Sequence, residues 1–165
     1  MRRLRVLIWH VHGSYLYYLS HCPHDFYVPS RPERRGDFVG RWGHFPWGDN
    51  VIDVPAESVR DLALDCVIYQ RPRQYEEDRL ALLSEAQRRL PYIYLQHDPP
   101  CGHPTDSRHL VDDPNALLVH VTPFNELMWD GGRTPTRVID HGVRVPERIR
   151  YTGEMQRGFV VVNRL

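Results

Sequence analysis

The stretch Leu4-Arg5-Val6-Leu7-Ile8-Trp9-His10-Val11-His12-Gly13-Ser14 joins an apolar run to a polar end that contains a glycine. β-branched and aromatic residues without polar alternation are typical of a strand that is buried on both faces of a parallel sheet. The stretch therefore predicts a buried strand over residues 6–11, followed by a tight turn, in a protein of the α/β class.

Polar residues follow three other apolar runs in the same way. The runs 92–95, 117–121 and 137–139 are each followed by at least one His, Asp, Asn or Gln. The carboxyl ends of parallel strands share one edge of a sheet, and open α/β sheets build their ligand sites at that edge. The candidate site residues are His12, Gly13, Ser14, His97, Asp98, Asn125, His141 and Gly142.

The remaining segments alternate between strand and helix patterns. We predict further strands over residues 26–28, 51–54 and 65–70, a long loop over 29–50, a helix over 15–20 capped by Ser14, and a helix that starts at Pro123. This alternation predicts a Rossmann-like, doubly wound parallel sheet of about six or seven strands, with the strands 6–11 and 117–121 at its centre.

The strongest helix pattern covers residues 74–90. Leu80, Leu83 and Leu90 form one apolar stripe, acidic residues lie near the start and Arg88 and Arg89 near the end, as the helix dipole favours. Pro91 ends the pattern. We expect one continuous helix with this stripe in the core.

The charged residues exclude several functions. The chain has 165 residues, enough for one domain, and its 21 basic and 21 acidic side chains balance, so charge alone does not predict binding to nucleic acid. All the basic residues are Arg, and without Lys the chain cannot form a Walker-type phosphate loop, a Schiff-base site or a kinase site.

The cysteines and the hydropathy pattern bear on location. Three widely spaced cysteines do not suggest a disulfide framework or a zinc ribbon, which favours a reducing, cytoplasmic compartment. No apolar run approaches about 18 residues, so we expect no transmembrane segment.

Two alternatives come from the first strand and the turn after it. His10 and His12 are two residues apart, which would place both rings on one face of a strand and could seed a metal site. The turn His12-Gly13-Ser14 allows backbone to approach a phosphate or a sugar hydroxyl, but it lacks the glycine spacing of the dinucleotide fingerprint, which disfavours NAD. We expect no bound metal.

The C-terminal part of the chain carries a family resemblance. The segment Val138-Ile139-Asp140-His141-Gly142-Val143, with Pro146 and the run Gly158-Phe159-Val160-Val161-Val162-Asn163-Arg164-Leu165, resembles the hinge of GT-B fold glycosyltransferases of family 4. Asn163 stands where that family usually has Gly. The turn at Gly13 and the segment Leu95-Gln96-His97-Asp98 resemble two further parts of the family's N-terminal domain.

The resemblance implies a division of the chain. Residues 1–157 would be the Rossmann-like, acceptor-side N-terminal domain of a GT-B fold, and residues 158–165 the first strand of a C-terminal domain that the chain lacks. In this family the missing domain holds most of the nucleotide-diphospho-sugar donor, so the fragment alone is expected to be inactive, and no cofactor is implied.

The resemblance also implies roles for the candidate residues. His97 and Asp98 would be catalytic, and the other six would bind sugar donor or acceptor: His12, Gly13, Ser14, Asn125, His141 and Gly142. Two other functions stay open: a Rossmann-like binding module without catalysis, and a metal-dependent hydrolase that uses His10, His12, His97 and His141.

Overall fold

The computed structural model describes residues 2–102 and 107–158, which form an α/β fold around one parallel sheet. Its seven strands are β1 (Arg5–Ile8), β2 (Asp25–Ser30), β3 (Val51–Pro55), β4 (Cys66–Tyr69), β5 (Tyr92–Gln96), β6 (Leu117–His120) and β7 (Thr136–Val138). All six neighbouring pairs are parallel, in the order β3-β2-β1-β4-β5-β6-β7. The predicted parallel sheet and its strand number are confirmed.

The strand order contains one topological switch. The chain moves from β1 outward to β2 and β3, then returns to place β4 on the other side of β1. Loops that follow β1 and β4 therefore leave the sheet in opposite directions and open a crevice between them, where sheets of this type bind ligands. This crevice lies at the edge where the strand-end residues were expected to meet.

Apolar layers cover both faces of the sheet, because neighbouring residues of a buried strand point to opposite faces. Leu7 and Trp9 belong to one core layer, together with residues from the 3₁₀ helix Ala56–Asp61 and from helix α2 (Arg79–Leu82). Val6 and Ile8 belong to the other layer, which includes residues of helix α1 (Gly13–Leu19). The doubly wound arrangement is thus present.

Two predictions about the strands were wrong. The strand 6–11 ends at Ile8, because the backbone then turns and the N–H of Val11 donates to the carbonyl of Trp9 at 3.1 Å. The second error concerns β6, which is buried but lies next to the edge strand β7, whereas β4 is the central strand. Burial of a strand on both faces does not specify its rank in the sheet, which the crossovers decide.

The single helix expected over residues 74–90 was also wrong. The segment consists of a π-helical turn (Gln74–Asp78), α2 and a 3₁₀ turn (Gln87–Arg89). The backbone becomes extended at Leu83, where the N–H of Ser84 donates to Oε1 of Gln87 and the N–H of Gln87 donates to Oγ of Ser84. These reciprocal bonds form a capping box, which starts a new turn and interrupts the helix.

Because the helix ends at Leu82, the predicted apolar stripe is divided between the core and the surface. Leu83 is 2 % exposed and lies in the core, whereas Leu80 is 57 % exposed. In a continuous helix both would have faced the core.

The helix starts agree with the sequence only in part. Helix α3 (Pro123–Met128) begins at Pro123 as predicted, and Oγ1 of Thr122 caps it by accepting from the N–H of Asn125 at 3.1 Å. Helix α1 begins at Gly13, and its N-cap residue His12 makes no side-chain cap bond. Ser14 therefore lies inside the first turn, and the prediction that it caps this helix was wrong.

Some predictions remain open because of where they fall. Most of the strand expected from Gly158 lies in residues 159–165, outside the described residues. Among residues 2–102 and 107–158, no helix is long and apolar enough to span a membrane.

Candidate functional site

The centre of the candidate site is His97, which directly follows β5. Its ring Nε2 lies 2.9 Å from Oε1 of Gln70, at the end of β4, and Nε2 of Gln70 donates to the carbonyl of Trp9, after β1. The carbonyl of His97 accepts from Nδ2 of Asn125 in α3 at 2.8 Å. Groups from β1, β4, β5 and α3 thus fix the position of His97 at the switch point.

These bonds also determine the tautomer of His97. Because Nε2 of Gln70 donates to a carbonyl, Oε1 of Gln70 is an acceptor, and the His97 nitrogen facing it must carry the proton. The other ring nitrogen, Nδ1, is then an acceptor in the neutral form. It has no hydrogen-bond partner within residues 2–102 and 107–158.

Four aromatic side chains pack together around this point. The ring of His12 contacts the ring of His97 with centroids 4.4 Å apart, and the ring of Tyr15 contacts those of His97 and His141 at 5.0 and 4.8 Å. The rings of His97 and His141 lie parallel at 5.9 Å. Three of the histidines that were predicted from their positions after strands therefore lie in one cluster.

The cluster forms the wall of a cleft with a volume of about 340 Å³, which we call the histidine cleft. A second volume of about 410 Å³ continues it along α1 and shares Tyr15, Tyr18, Gly142 and Val143 with it. The residues that line the histidine cleft are His12, Ser14, Tyr15, Tyr18, His97, Asp98, His141, Gly142 and Val143.

Six of the eight predicted site residues line this cleft, and the other two lie beside it. Asn125 is buried and holds the backbone of His97. Gly13 begins α1, and a Cβ atom there would lie 2.5 Å from Cε2 of Phe45 and 2.9 Å from Nε2 of His10. A side chain at this position would therefore force the ring of Phe45 or of His10 to move, independently of any ligand.

Asp98 does not pair with the ring of its neighbour His97, which donates to Gln70 instead. The carbonyl of Asp98 accepts from Nε1 of Trp129 at 3.0 Å, and its exposed carboxylate acts on His12, whose pKa it raises. The expected side-chain contact between His97 and Asp98 is therefore not formed, and the ring of His97 bonds to Gln70.

Burial favours the neutral forms of His12 and His97 in the cleft. Burial, with smaller contributions from the nearby His12, His141 and Arg71, lowers the pKa of His97 to about 3. Burial is also the main reason that the pKa of His12 is lowered, against the opposing effect of Asp98. At neutral pH His97 is consequently a hydrogen-bonding group, with little capacity to take up a proton.

The two histidines at the end of β1 are not on one face, contrary to expectation. The ring of His10 is buried against Trp47, with Nδ1 2.7 Å from the carbonyl of Gly40, whereas His12 faces the cleft. The alternation of a strand does not apply to them because β1 ends at Ile8. Within the described residues, no group of three or more His, Cys, Asp or Glu side chains is placed to hold a metal ion.

Two important residues of the site were missed by the sequence analysis. Gln70 is the last residue of the predicted strand 65–70 and directly follows β4 in the structure, so its position at a strand end was visible in the sequence. Tyr15 was assigned only to a helix, because its position between His97 and His141 depends on the loop after β7.

The buried histidines predict how stability depends on pH. Burial lowers the pKa of His109 to about 4, and it also lowers that of His120. Between about pH 6.5 and these lower values, the unfolded chain binds more protons than the native protein. The free energy of unfolding should therefore be largest above about pH 6.5 and should fall as the pH is lowered from there towards about 4.

This dependence can be measured as the melting temperature in steps from about pH 7.5 to about pH 5. His109→Gln removes one such group and should reduce the slope, whereas His44→Gln, in an exposed loop, should leave it unchanged. An equal slope in the protein and in His109→Gln would contradict the assignment.

Comparison with known proteins finds no matching family, no matching curated protein and no matching solved structure.

Proposed function

We propose that this chain is the acceptor-side half of a glycosyltransferase that uses a nucleotide-diphospho-sugar. The observation that carries the proposal is the placement of His97 at the switch point, with its ring fixed by Gln70 and lining an open cleft. The hinge-like sequence 138–143 supports it, since His141 and Gly142 of that sequence line the same cleft.

The cleft offers the chemistry that sugar binding requires. Neutral imidazoles and tyrosine hydroxyls donate and accept hydrogen bonds, and aromatic ring faces cover the apolar sides of a sugar. His97 would orient the transferred sugar, and Asp98 with His12 would contact hydroxyl groups near the reacting carbon. The departing diphosphate would be stabilised mainly by the domain that the family resemblance implies beyond residue 157.

The proposal predicts a difference between residues 1–165 and a chain that also contains the C-terminal domain implied by the resemblance. Residues 1–165 alone should not release nucleoside diphosphate from any nucleotide-sugar, because the proposed donor-binding half is not part of them. A chain with both domains should release it when an acceptor is present. The measurement is nucleoside diphosphate formation over a panel of UDP-, GDP- and ADP-sugars with each protein.

The outcome separates this proposal from its alternative. Turnover by residues 1–165 alone would contradict the two-domain arrangement. A gene that ends at Leu165, with ligand binding and no turnover, would instead identify a binding module without catalysis.

A further inference from the structure

A second pocket opens at the carboxyl ends of the strands. It shares no lining residue with the histidine cleft. It has a volume of about 370 Å³ and lies between the loop after β2 and the turn after β4. We call it the arginine pocket; its lining residues include Arg31, Arg35, Asp37, Arg71, Arg73 and Asp78. Phe38 in its wall belongs to the core layer opposite that of α1.

The pocket contains more basic than acidic side chains. Four guanidinium groups face three acids, Glu33, Asp37 and Asp78. Arg31 and Arg35 form no ion pair within 4.0 Å to any described residue, although Arg31 is held in place with its guanidinium 4.0 Å above the ring of Phe38. Two guanidinium groups therefore remain available to an anion, and one of them is already oriented.

Hydrogen bonds between buried polar groups hold the wall of the arginine pocket in position. Gln74 is fully buried; its Nε2 donates to Asp37 at 2.8 Å, and its Oε1 accepts from the N–H of Gln70. Asp37 in turn pairs with Arg71 at 3.2 Å. These bonds fix the geometry of the wall before a ligand binds. Gln70 connects the wall to the histidine cleft, because it bonds to both Gln74 and His97.

Asp78 is an acid of this pocket whose carboxyl group receives no hydrogen bond from any described residue, although it forms a long ion pair with Arg73. It is only 4 % exposed, and its Oδ2 has no hydrogen-bond partner among the described residues. Its Oδ1 lies 4.0 Å from Nε of Arg73, too far for a hydrogen bond. Burial raises the pKa of this carboxyl. A buried carboxyl without a donor is costly, and a ligand hydroxyl that donates to the pocket-lining side of Asp78 would reduce that cost.

The π-helical turn explains why these groups meet. Gln74 and Asp78, the first and last residues of this turn, are both buried. Side chains four residues apart lie on the same side of a helical turn, so both point inward, and π-helical turns are frequent at functional sites.

We propose that the arginine pocket binds a phosphorylated sugar or polyol, with the phosphate held by Arg31 and Arg35 and a neighbouring hydroxyl donating to Asp78. The pairing of anion-binding groups with a hydroxyl acceptor selects this class over inorganic phosphate or a neutral sugar. The proposal is independent of glycosyl transfer, because a binding module would use the same pocket.

The test is calorimetric titration of the chain with glucose 6-phosphate, inorganic phosphate, glucose and glucuronate. Glucose 6-phosphate should bind about tenfold more tightly than any of the other three. Arg31→Gln/Arg35→Gln should weaken its binding by about tenfold or more, whereas Arg137→Gln on the distant edge strand β7 should not. Melting temperatures of all variants establish that they are folded.

Asp78→Asn distinguishes the two halves of the site. This isosteric change replaces the carboxyl acceptor by a weaker amide acceptor, so it should reduce the preference for glucose 6-phosphate over inorganic phosphate without weakening the binding of inorganic phosphate. The proposal is overturned by no saturable binding at millimolar concentrations, by unchanged affinity in the folded double variant, or by glucuronate binding as tightly as glucose 6-phosphate.

Discussion

Under the proposed glycosyltransferase function, His97→Ala in a chain that includes the implied C-terminal domain is expected to lower kcat by about 100-fold or more, which is the usual contribution of a group that acts in the transition state. The substitution removes the ring that lines the cleft and leaves Oε1 of Gln70 without its donor. Because His97 is neutral at pH 7, the loss should arise from a missing hydrogen bond. The measurement is nucleoside diphosphate release under saturating donor and acceptor.

The control for this variant is His44→Ala, which makes the same change in an exposed loop and should retain full activity. Comparison of melting temperatures separates loss of contact from loss of fold. Full activity in a folded His97→Ala enzyme would remove His97 from the mechanism.

The largest expected effect on stability belongs to Leu83→Ala, which should lower the free energy of unfolding by about 2–5 kcal/mol. Leu83 is 2 % exposed and packs in the core layer with Leu82 and Tyr92. Truncation would leave a cavity beneath the broken helix, where the extended backbone at Leu83 limits collapse.

Leu80→Ala is the matched control, since the sequence pattern assigns both leucines to one stripe. Leu80 is 57 % exposed, so its truncation should change the free energy of unfolding by less than about 0.5 kcal/mol. Denaturant unfolding of both variants measures the difference. Equal losses would mean that the helix continues through Ser84 and that the capping box does not form.

The candidate site could be predicted in outline because the rule behind it is local. A strand-end position depends only on where an apolar run stops, and this was enough to select His12, His97 and His141. Gln70 obeys the same rule at the end of β4. The rule does not specify which strand-end residues bond to one another, so the pairing of His97 with Gln70 in place of Asp98 appears only in the structure.

The sequence by itself determined the α/β class, the parallel direction of the strands and the start of α3, since each follows from apolar runs, turn residues and caps within a few positions. Tertiary structure alone decided the rank of the strands, the placement of Leu83 in the core and of Leu80 at the surface, and the close packing around Gly13. Each of these depends on contacts between distant segments: crossovers for β4, the core for Leu83, and Phe45 with His10 for Gly13. Local periodicity does not encode such contacts, because it records which face of an element is apolar and not what packs against it.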